Sequence, residues 1–308
     1  MATALNKHVC VGFQIQDAEG SQKSNAIIWT AFNDSFDFDV NPNVTELDQA
    51  DNRAYPHSSY TTGVWFEGRY PLSFAPDAGT LAALIDWIQT RDVYQQGKFA
   101  SVYRVHRDTG SVSASKDVKV GRARFEFRKS GPVMCSLDLI GKSEATAPGL
   151  SAPSPTGPYL WGEVGVSAGW GGGLISDTNF EALTIEIDNH VEPPADGMRI
   201  TDDGFNPTRL YNDAGQTCSG SITRDNIVGS LLRTLWYSQV NNLYGSTYDS
   251  ALTVVVGRGA TGLTLTIPRF QIRTLRENPT GRRTGRIPQE IDWFALQNDA
   301  LAAPITLS

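Results

Sequence analysis

Apolar and polar residues alternate along most of the chain, and this period of two predicts strands. In the first of them, Val9, Val11, Phe13 and Ile15 alternate with smaller or polar neighbours. The same alternation predicts strands over residues 26–32, 63–74, 101–106, 118–128, 133–140, 182–191, 220–223, 252–256, 263–272 and 290–296. The pattern therefore predicts a mainly β protein, with antiparallel strands that keep one face in water.

Two segments instead have the period of a helix with one apolar face. They cover residues 79–89 and 226–237, and each follows an aspartate, Asp77 or Asp225, near the position of a helix cap. The side chains that we expect these helices to bury are Leu81, Leu84 and Ile88 in the first and Leu232, Leu235 and Trp236 in the second.

A segment rich in proline and glycine, residues 144–173, interrupts the alternation near the middle of the chain. We interpret it as a linker followed by a glycine-rich loop over residues 165–173. It separates residues 1–143 from residues 174–308, and both parts have the predicted order strand, strand, helix and three more strands. Repetition of this order predicts two tandem copies of one β domain, each a β-sandwich or partial barrel with one flanking helix.

Three short sequence matches accompany the repeated order. Each joins similar residues of the two halves at a nearly constant distance. The matched segments are 73–77 with 221–225, 124–127 with 269–272, and 137–139 with 291–293, at offsets of 148, 145 and 154 in residue number.

Composition and charge exclude several classes of protein. The 308 residues carry a formal net charge of −7, whereas a dedicated nucleic-acid binder usually has a basic domain. The three cysteines are an odd number without a CxxC pair, which argues against a disulfide framework and a zinc site. No apolar run has the length of a membrane span or a signal peptide, so we expect folding in a reducing cytoplasm.

Residue constellations for catalysis are also absent from the sequence. The four histidines form no HExxH motif, and Gly-x-Ser-x-Gly does not occur. Gly141-Lys142-Ser143 resembles the end of a phosphate-binding loop, but Leu137 stands where that loop needs glycine. We therefore predict no catalytic residues, no cofactor, no bound metal and no enzymatic activity.

Charge is distributed unevenly along the second half. Residues 163–225 contain 11 acidic and three basic side chains, and residues 269–286 contain six arginines and one acid. On a single molecule these are solvated faces, but in an assembly they are complementary patches that steer association.

The chain resembles the tail tube proteins of long-tailed, siphophage-type bacteriophages, with a duplicated tube domain. The resemblance extends over nearly the whole chain and depends on the strand–helix–strand order, on LTIEIDNHVEPP, on GSITRDNIVGSLLRTLW and on the closing EIDWFAL. It implies a structural subunit that self-assembles into stacked rings, with six domains per ring from three chains or from six. It also implies a virion location after assembly in the host cytoplasm, and an acidic bore that conducts DNA as transient cargo.

The resemblance suggests roles for two groups of residues. In that family, rings stack through a long hairpin and through arms. The basic tip with Arg282, Arg283 and Arg286 is our candidate for contact between rings, and Trp161 and Trp170 are candidates for an arm that reaches a neighbouring subunit. Tail tip and terminator proteins are the further partners implied, with no membrane partner.

Other functions of a β-rich assembly module remain open at this point. They are a tail adaptor, a baseplate component, a type VI-like tube or a carbohydrate-binding protein. A sugar site needs aromatic platforms beside acids, and the candidate is Trp65, Phe66 and Glu67 on one predicted strand. Alternation places those two aromatic rings on opposite faces of that strand.

Overall fold

The structure, a computed structural model, describes most of the chain. The described residues are 9–21, 27–30, 36–47, 58–73, 78–106, 110–145, 159–170, 173–176, 180–194, 206–207, 209–225, 250–258, 261–277, 288–297 and 303–308. Within them are one α-helix and 15 strands, all paired antiparallel. The prediction of a mainly β protein is therefore confirmed.

The helix and strands have the following bounds. They are β1 Val9–Ile15, β2 Ile28–Thr30, β3 Asp39–Leu47, β4 Ser58–Ser73, α1 Ala78–Gln89, β5 Ala100–His106, β6 Ser111–Arg128, β7 Met134–Glu144, β8 Val164–Trp170, β9 Gly173–Ser176, β10 Phe180–Asp188, β11 Thr217–Asp225, β12 Ser250–Arg258, β13 Thr261–Glu277, β14 Pro288–Ala295 and β15 Thr306–Leu307. A short 3₁₀ turn, Trp161–Glu163, precedes β8.

The strands form one extended sheet with a repeated order of neighbours. In the first half the order is β3-β4-β7-β6-β5-β1-β2, and in the second it is β10-β11-β14-β13-β12-β8-β9. Adding seven to each number of the first order gives the second. The halves are joined where β10 pairs with β6. The short strand β15 lies outside both orders and pairs with β13.

Strand β6 illustrates how the sequence specifies the sheet. Ala123, Phe125 and Phe127 are buried in the core, and Arg124 and Glu126 between them point to the opposite, solvated face. Gly121 is the extra residue of a bulge between Val120 and Arg122, and past it the buried apolar positions change from even to odd numbers.

Helix α1 packs on the sheet through the face predicted from the sequence. Leu81, Leu84 and Ile88 are all buried in the core. Trp87, which the period did not single out, stacks on Phe13 of β1 with ring centroids 5.0 Å apart. The second predicted helix, with Leu232, Leu235 and Trp236, lies outside the described residues.

The prediction of a glycine-rich loop over residues 165–173 is wrong for the first six of these residues. They belong to β8, which pairs with β12 on one side and β9 on the other. Val164 and Val166 lie opposite Val256 and Val254 of β12. Gly165 between them still forms the strand, because interstrand hydrogen bonds join backbone groups and need no side chain. The predicted linker of residues 144–173 therefore contains a strand of the second half's sheet.

A buried polar network fixes the two halves to each other. Asn189, which follows β10, donates from Nδ2 to the carbonyl oxygens of Ile88 at 3.1 Å and Val120 at 2.9 Å. Lys119 of β6 donates from Nζ to Oδ1 of Asn212 at 2.8 Å. Burial and then the nearby Arg91 charge lower the pKa of Lys119 to about 8. Side chains of the second half thus satisfy buried groups of the first.

Candidate assembly surface

The inter-half seam, residues 122–128 of β6 and 182–188 of β10, is where the two halves share a sheet. The edge of β6 that pairs with β5 up to Val118 pairs with β10 from Arg122 onward. The bulge at Gly121 separates these two stretches. On the core side, Phe125 lies opposite Ile185 and both are buried, so the seam is continuous with the hydrophobic core.

Ion pairs cross the solvated side of the seam. Arg122 lies 3.4 Å from Glu186 and 3.3 Å from Asp188, measured between guanidinium nitrogens and carboxylate oxygens. The two carboxylates outweigh the opposing effect of burial and raise the pKa of Arg122. Partial burial raises the pKa of Asp138 on β7, while Arg122 and Arg69 offset part of that increase. These pairs are partly exposed, so they specify register more than they add stability.

The seam belongs to a wider polar face, defined here by the charged side chains on the solvated side of eight adjacent strands, β3-β4-β7-β6-β10-β11-β14-β13. Alternation places these side chains opposite the core residues of the same strands. Carboxylates outnumber basic groups among them. They include Asp39, Glu67, Glu126, Asp138, Glu144, Glu186, Asp188, Glu290 and Asp292 against Arg69, Arg122, Arg124, Arg128, Lys142, Arg273 and Arg276.

Two strand edges end this ribbon of eight strands. Among the described residues, β3 pairs with β4 alone, so its second edge is open. Residues 271–277 of β13 pair with β14 on one side and with no described strand on the other. Val40 of β3 is 47% exposed. Open edges are templates for pairing with another chain.

Comparison with protein families assigns this β-rich chain. A family model described as phage tail tube protein matches residues 7–295. The chain belongs to the phage tail tube protein family. No curated protein matches it.

Membership in the tail tube family places the protein in the virion tail, in a structural role, and implies assembly with itself in a tube. The resemblance to tail tube proteins, which was inferred from the sequence, is thus confirmed at the level of the family. Within the described part of the chain, no helix has the length and apolarity needed to cross a membrane. Nor do the described His, Cys, Asp and Glu side chains form a cluster of three or more that would hold a metal ion.

The structure brings few of the predicted contact residues of this tail tube protein into view. Arg282, Arg283 and Arg286 lie outside the described residues. Trp161 is half-buried and packs against the core of its own chain, and Trp170 is the last residue of β8. Their contacts with a neighbouring subunit stay predictions.

The candidate sugar platform does not have open rings. Trp65 is 9% exposed and Phe66 is 7% exposed. The two rings lie on opposite faces of β4, and Trp65 donates its indole N–H to Glu67 at 2.9 Å. A sugar ring therefore has no accessible aromatic surface on these residues.

Sequence reasoning missed the seam, although part of its signal is visible. The alternating Arg122, Arg124, Glu126 and Arg128 identify a solvated strand face, and Glu186 and Asp188 have the same spacing on β10. What was missing is that these two segments are neighbours in the sheet, because they stand far apart in the chain.

Proposed function

We propose that this tail tube protein forms rings of three chains, each chain contributing two tube domains, and that the polar face lines a channel through which DNA passes without binding. The observation that carries the proposal is the repeated strand order of the two halves. A strand order of seven members that recurs in full is the expected signature of a duplicated domain.

Matching irregularities in β6 and β13 support the duplication. Against β5, β6 skips two residues between Ser115 and Val118, and against β12, β13 skips two between Ile267 and Phe270. Three positions later each strand has a single bulged residue, Gly121 or Arg273. The same shift in residue number therefore superposes both irregularities of β6 on those of β13.

This correspondence revises the sequence matches between the halves. The pairing of β7 and of β14 with their neighbours makes Asp138 correspond to Asp292, as the third match has it. The pairing of β4 and of β11 makes Asp225 correspond to Ser73 and not to Asp77. The first two matches are therefore out of register with the strands, because short similar sequences recur on any alternating strand.

Ring size favours three chains over six. Each chain offers a ribbon of eight strands, so three chains close 24 strands and six close 48. With strands ~4.8 Å apart and tilted by ~40°, these barrels are roughly 50 Å and roughly 95 Å in diameter between backbones. The smaller barrel leaves room for a duplex and the side chains around it, whereas the larger is far wider than its cargo requires.

The charge of the polar face fits a conducting channel. Protein–DNA attraction arises mainly from basic groups that neutralise phosphates. Here arginines such as Arg122 are paired with carboxylates, and the carboxylates are in excess. A wall of this kind repels the backbone of DNA and does not hold it.

Electron microscopy and mass measurement of the purified chain test the ring. We expect rings or stacked tubes with a central hole and a ring mass of three chains of 33.5 kDa. A chain that stays monomeric at high concentration, or rings of six chains, would contradict the proposal.

A matched pair of charge variants tests the channel wall. Glu290→Lys changes a carboxylate of the polar face, and Asp213→Lys makes the same change on an exposed loop. We expect tubes of Glu290→Lys to retain added DNA at low salt and release it at high salt, while tubes of Asp213→Lys behave like the unmodified protein. Equal retention by both variants would refute a channel lined by the polar face.

A further inference from the structure

We propose that the open edge of β3 pairs with residues 274–277 of β13 in a second copy of the chain, antiparallel, with Asp39 opposite Arg276, Val40 opposite Leu275 and Asn41 opposite Thr274. This inference deepens the proposed ring and rests on it.

The register follows from the seam inside the chain. There Arg124 lies opposite Glu186, and Ala123 lies opposite Ile187. The correspondence of β6 with β13, in which the bulged Gly121 matches the bulged Arg273, carries Arg124 to Arg276 and Ala123 to Leu275.

The β10 side of the seam has its own correspondence with β3. Within the sheet, Asn41 of β3 lies opposite Trp65 of β4, and Asp188 of β10 lies opposite Thr217 of β11. Trp65 corresponds to Thr217, by the same shift in residue number that relates Ser73 to Asp225. Asp188 therefore corresponds to Asn41, and Glu186 to Asp39. A ring that repeats one junction places these pairs between copies, as a heterologous contact that closes by rotation.

Apolar side chains are buried in the β6–β10 seam but partly exposed at the corresponding positions of the open edges of β3 and β13, as expected for edges that lack a partner strand. Ile187 is fully buried in the seam, whereas Val40 at the corresponding position is 47% exposed although it points to the core side of its strand. Ala123 is likewise fully buried and Leu275 only half-buried. Pairing across the copies covers both apolar side chains, which gives the contact a hydrophobic component.

Charge is complementary in the same register. In the seam Arg124 lies opposite Glu186, and between copies Arg276 lies opposite Asp39. In both pairs the basic side chain is on β6 or on its counterpart β13. Within one chain Asp39 is held by Arg104 at 3.2 Å and its side chain is still 63% exposed, so it can accept a second guanidinium. Such opposite-charge cross-strand pairs favour one register over those that bring like charges together.

Pro42 limits the pairing at one end. It corresponds to Asn189, whose N–H donates to the carbonyl oxygen of Gly121 at 2.8 Å within the seam. Proline lacks this donor, so the contact between copies ends one residue earlier. A proline on an edge also restrains unwanted strand pairing, which keeps association confined to the short matching stretch.

Cysteine crosslinking tests the register. In a Cys10→Ser background, Asp39→Cys with Arg276→Cys places two thiols at directly opposed positions, and opposed strand residues have Cα separations suited to a disulfide. We expect oxidation of assembled rings to give covalent dimers and closed trimers on a non-reducing gel. The control, Asn41→Cys with Arg276→Cys, is shifted by two positions and is expected to crosslink at least tenfold more slowly.

The outcomes separate the pairing from the ring. Rings that form but crosslink no better in the Asp39 pair than in the shifted pair would overturn the pairing alone. A protein that stays monomeric, with no crosslink in either variant, would overturn both the ring and the pairing.

Two matched valines give a second test without cysteines. Val40 and Val44 both lie exposed on β3, at 47% and 51%, but only Val40 lies within the proposed pairing. We expect Val40→Asp to weaken self-association tenfold or more in sedimentation, and Val44→Asp to leave it near the unmodified value, with equal melting temperatures of the dilute chains. Equal association of the two variants would overturn the proposal.

Discussion

Replacing Asn189 by alanine removes the central connection between the halves. The Asn189 side chain is 1% exposed. Its Nδ2 donates to the carbonyl oxygens of Ile88 and Val120, and its Oδ1 accepts from Gln216 at 2.8 Å. The substitution leaves these buried groups short of partners, at about 1–3 kcal/mol for each unsatisfied group. Ile88 keeps a 3.3 Å bond from Gln216, so we expect a total loss of about 2–4 kcal/mol in the free energy of unfolding.

Urea unfolding of the dilute chain measures this loss from the transition midpoint and slope. Gln216→Ala is the comparison, because it removes the hydrogen bond to Asn189 Oδ1 but leaves both donor bonds of Asn189 in place, and we expect it to cost about 1 kcal/mol. An Asn189→Ala variant within about 0.5 kcal/mol of the unmodified protein would refute the reasoning, since surface changes without structural role have that size.

Three further substitutions probe separate features. Burial and the Arg91 charge lower the pKa of Lys119 from 10.5 to about 8, so the folded state loses this proton before the unfolded state does. Stability relative to Lys119→Met should rise by on the order of 2–3 kcal/mol between those pH values, measured by denaturation at several pH values, and an unchanged difference would contradict the burial. Gly220→Ala brings Cβ into collision with the Thr184 carbonyl oxygen, so we expect the free energy of unfolding to fall by about 3 kcal/mol or more in melting experiments, whereas Gly215→Ala, in open space, should cause no loss. Leu84→Ala in α1 should cost about 2–5 kcal/mol in urea unfolding, and a loss below about 1 kcal/mol would contradict its place in the core.

The strands that the sequence predicted best are those with one buried and one solvated face. Residues 9–15 were predicted with the bounds that β1 has, because apolar side chains mark every second position. The first helix differs from its prediction by one residue. In these segments local alternation and burial point to the same structure.

Strands without that pattern were missed. β3 contains Pro42 and polar side chains, which are typical of an edge strand and equally of a loop. β8 contains two glycines within its seven residues, a composition that is equally typical of a loop, and it is a strand because it pairs with β12 and β9. Edge strands depend on their neighbours, and a sequence pattern does not carry that information.

The seam is non-local in the same way. The charged face of β6 was predicted, but the partner of Arg122 is Asp188, and nothing near Arg122 in the chain identifies it. The bulge at Gly121 decides which side chains of β6 lie on the core face beside β10 and which lie on the solvated face, because one added residue changes the face of every side chain that follows. Short sequence matches therefore predicted the correspondence between the halves only approximately.

A helical reconstruction of tubes assembled from the purified chain tests the central claim most directly. We predict threefold rings with 24 strands around the channel, with Glu186 and Asp188 facing the lumen and β3 beside β13 of the next copy. Rings of six chains, or a channel lined by another face of the sheet, would contradict the account.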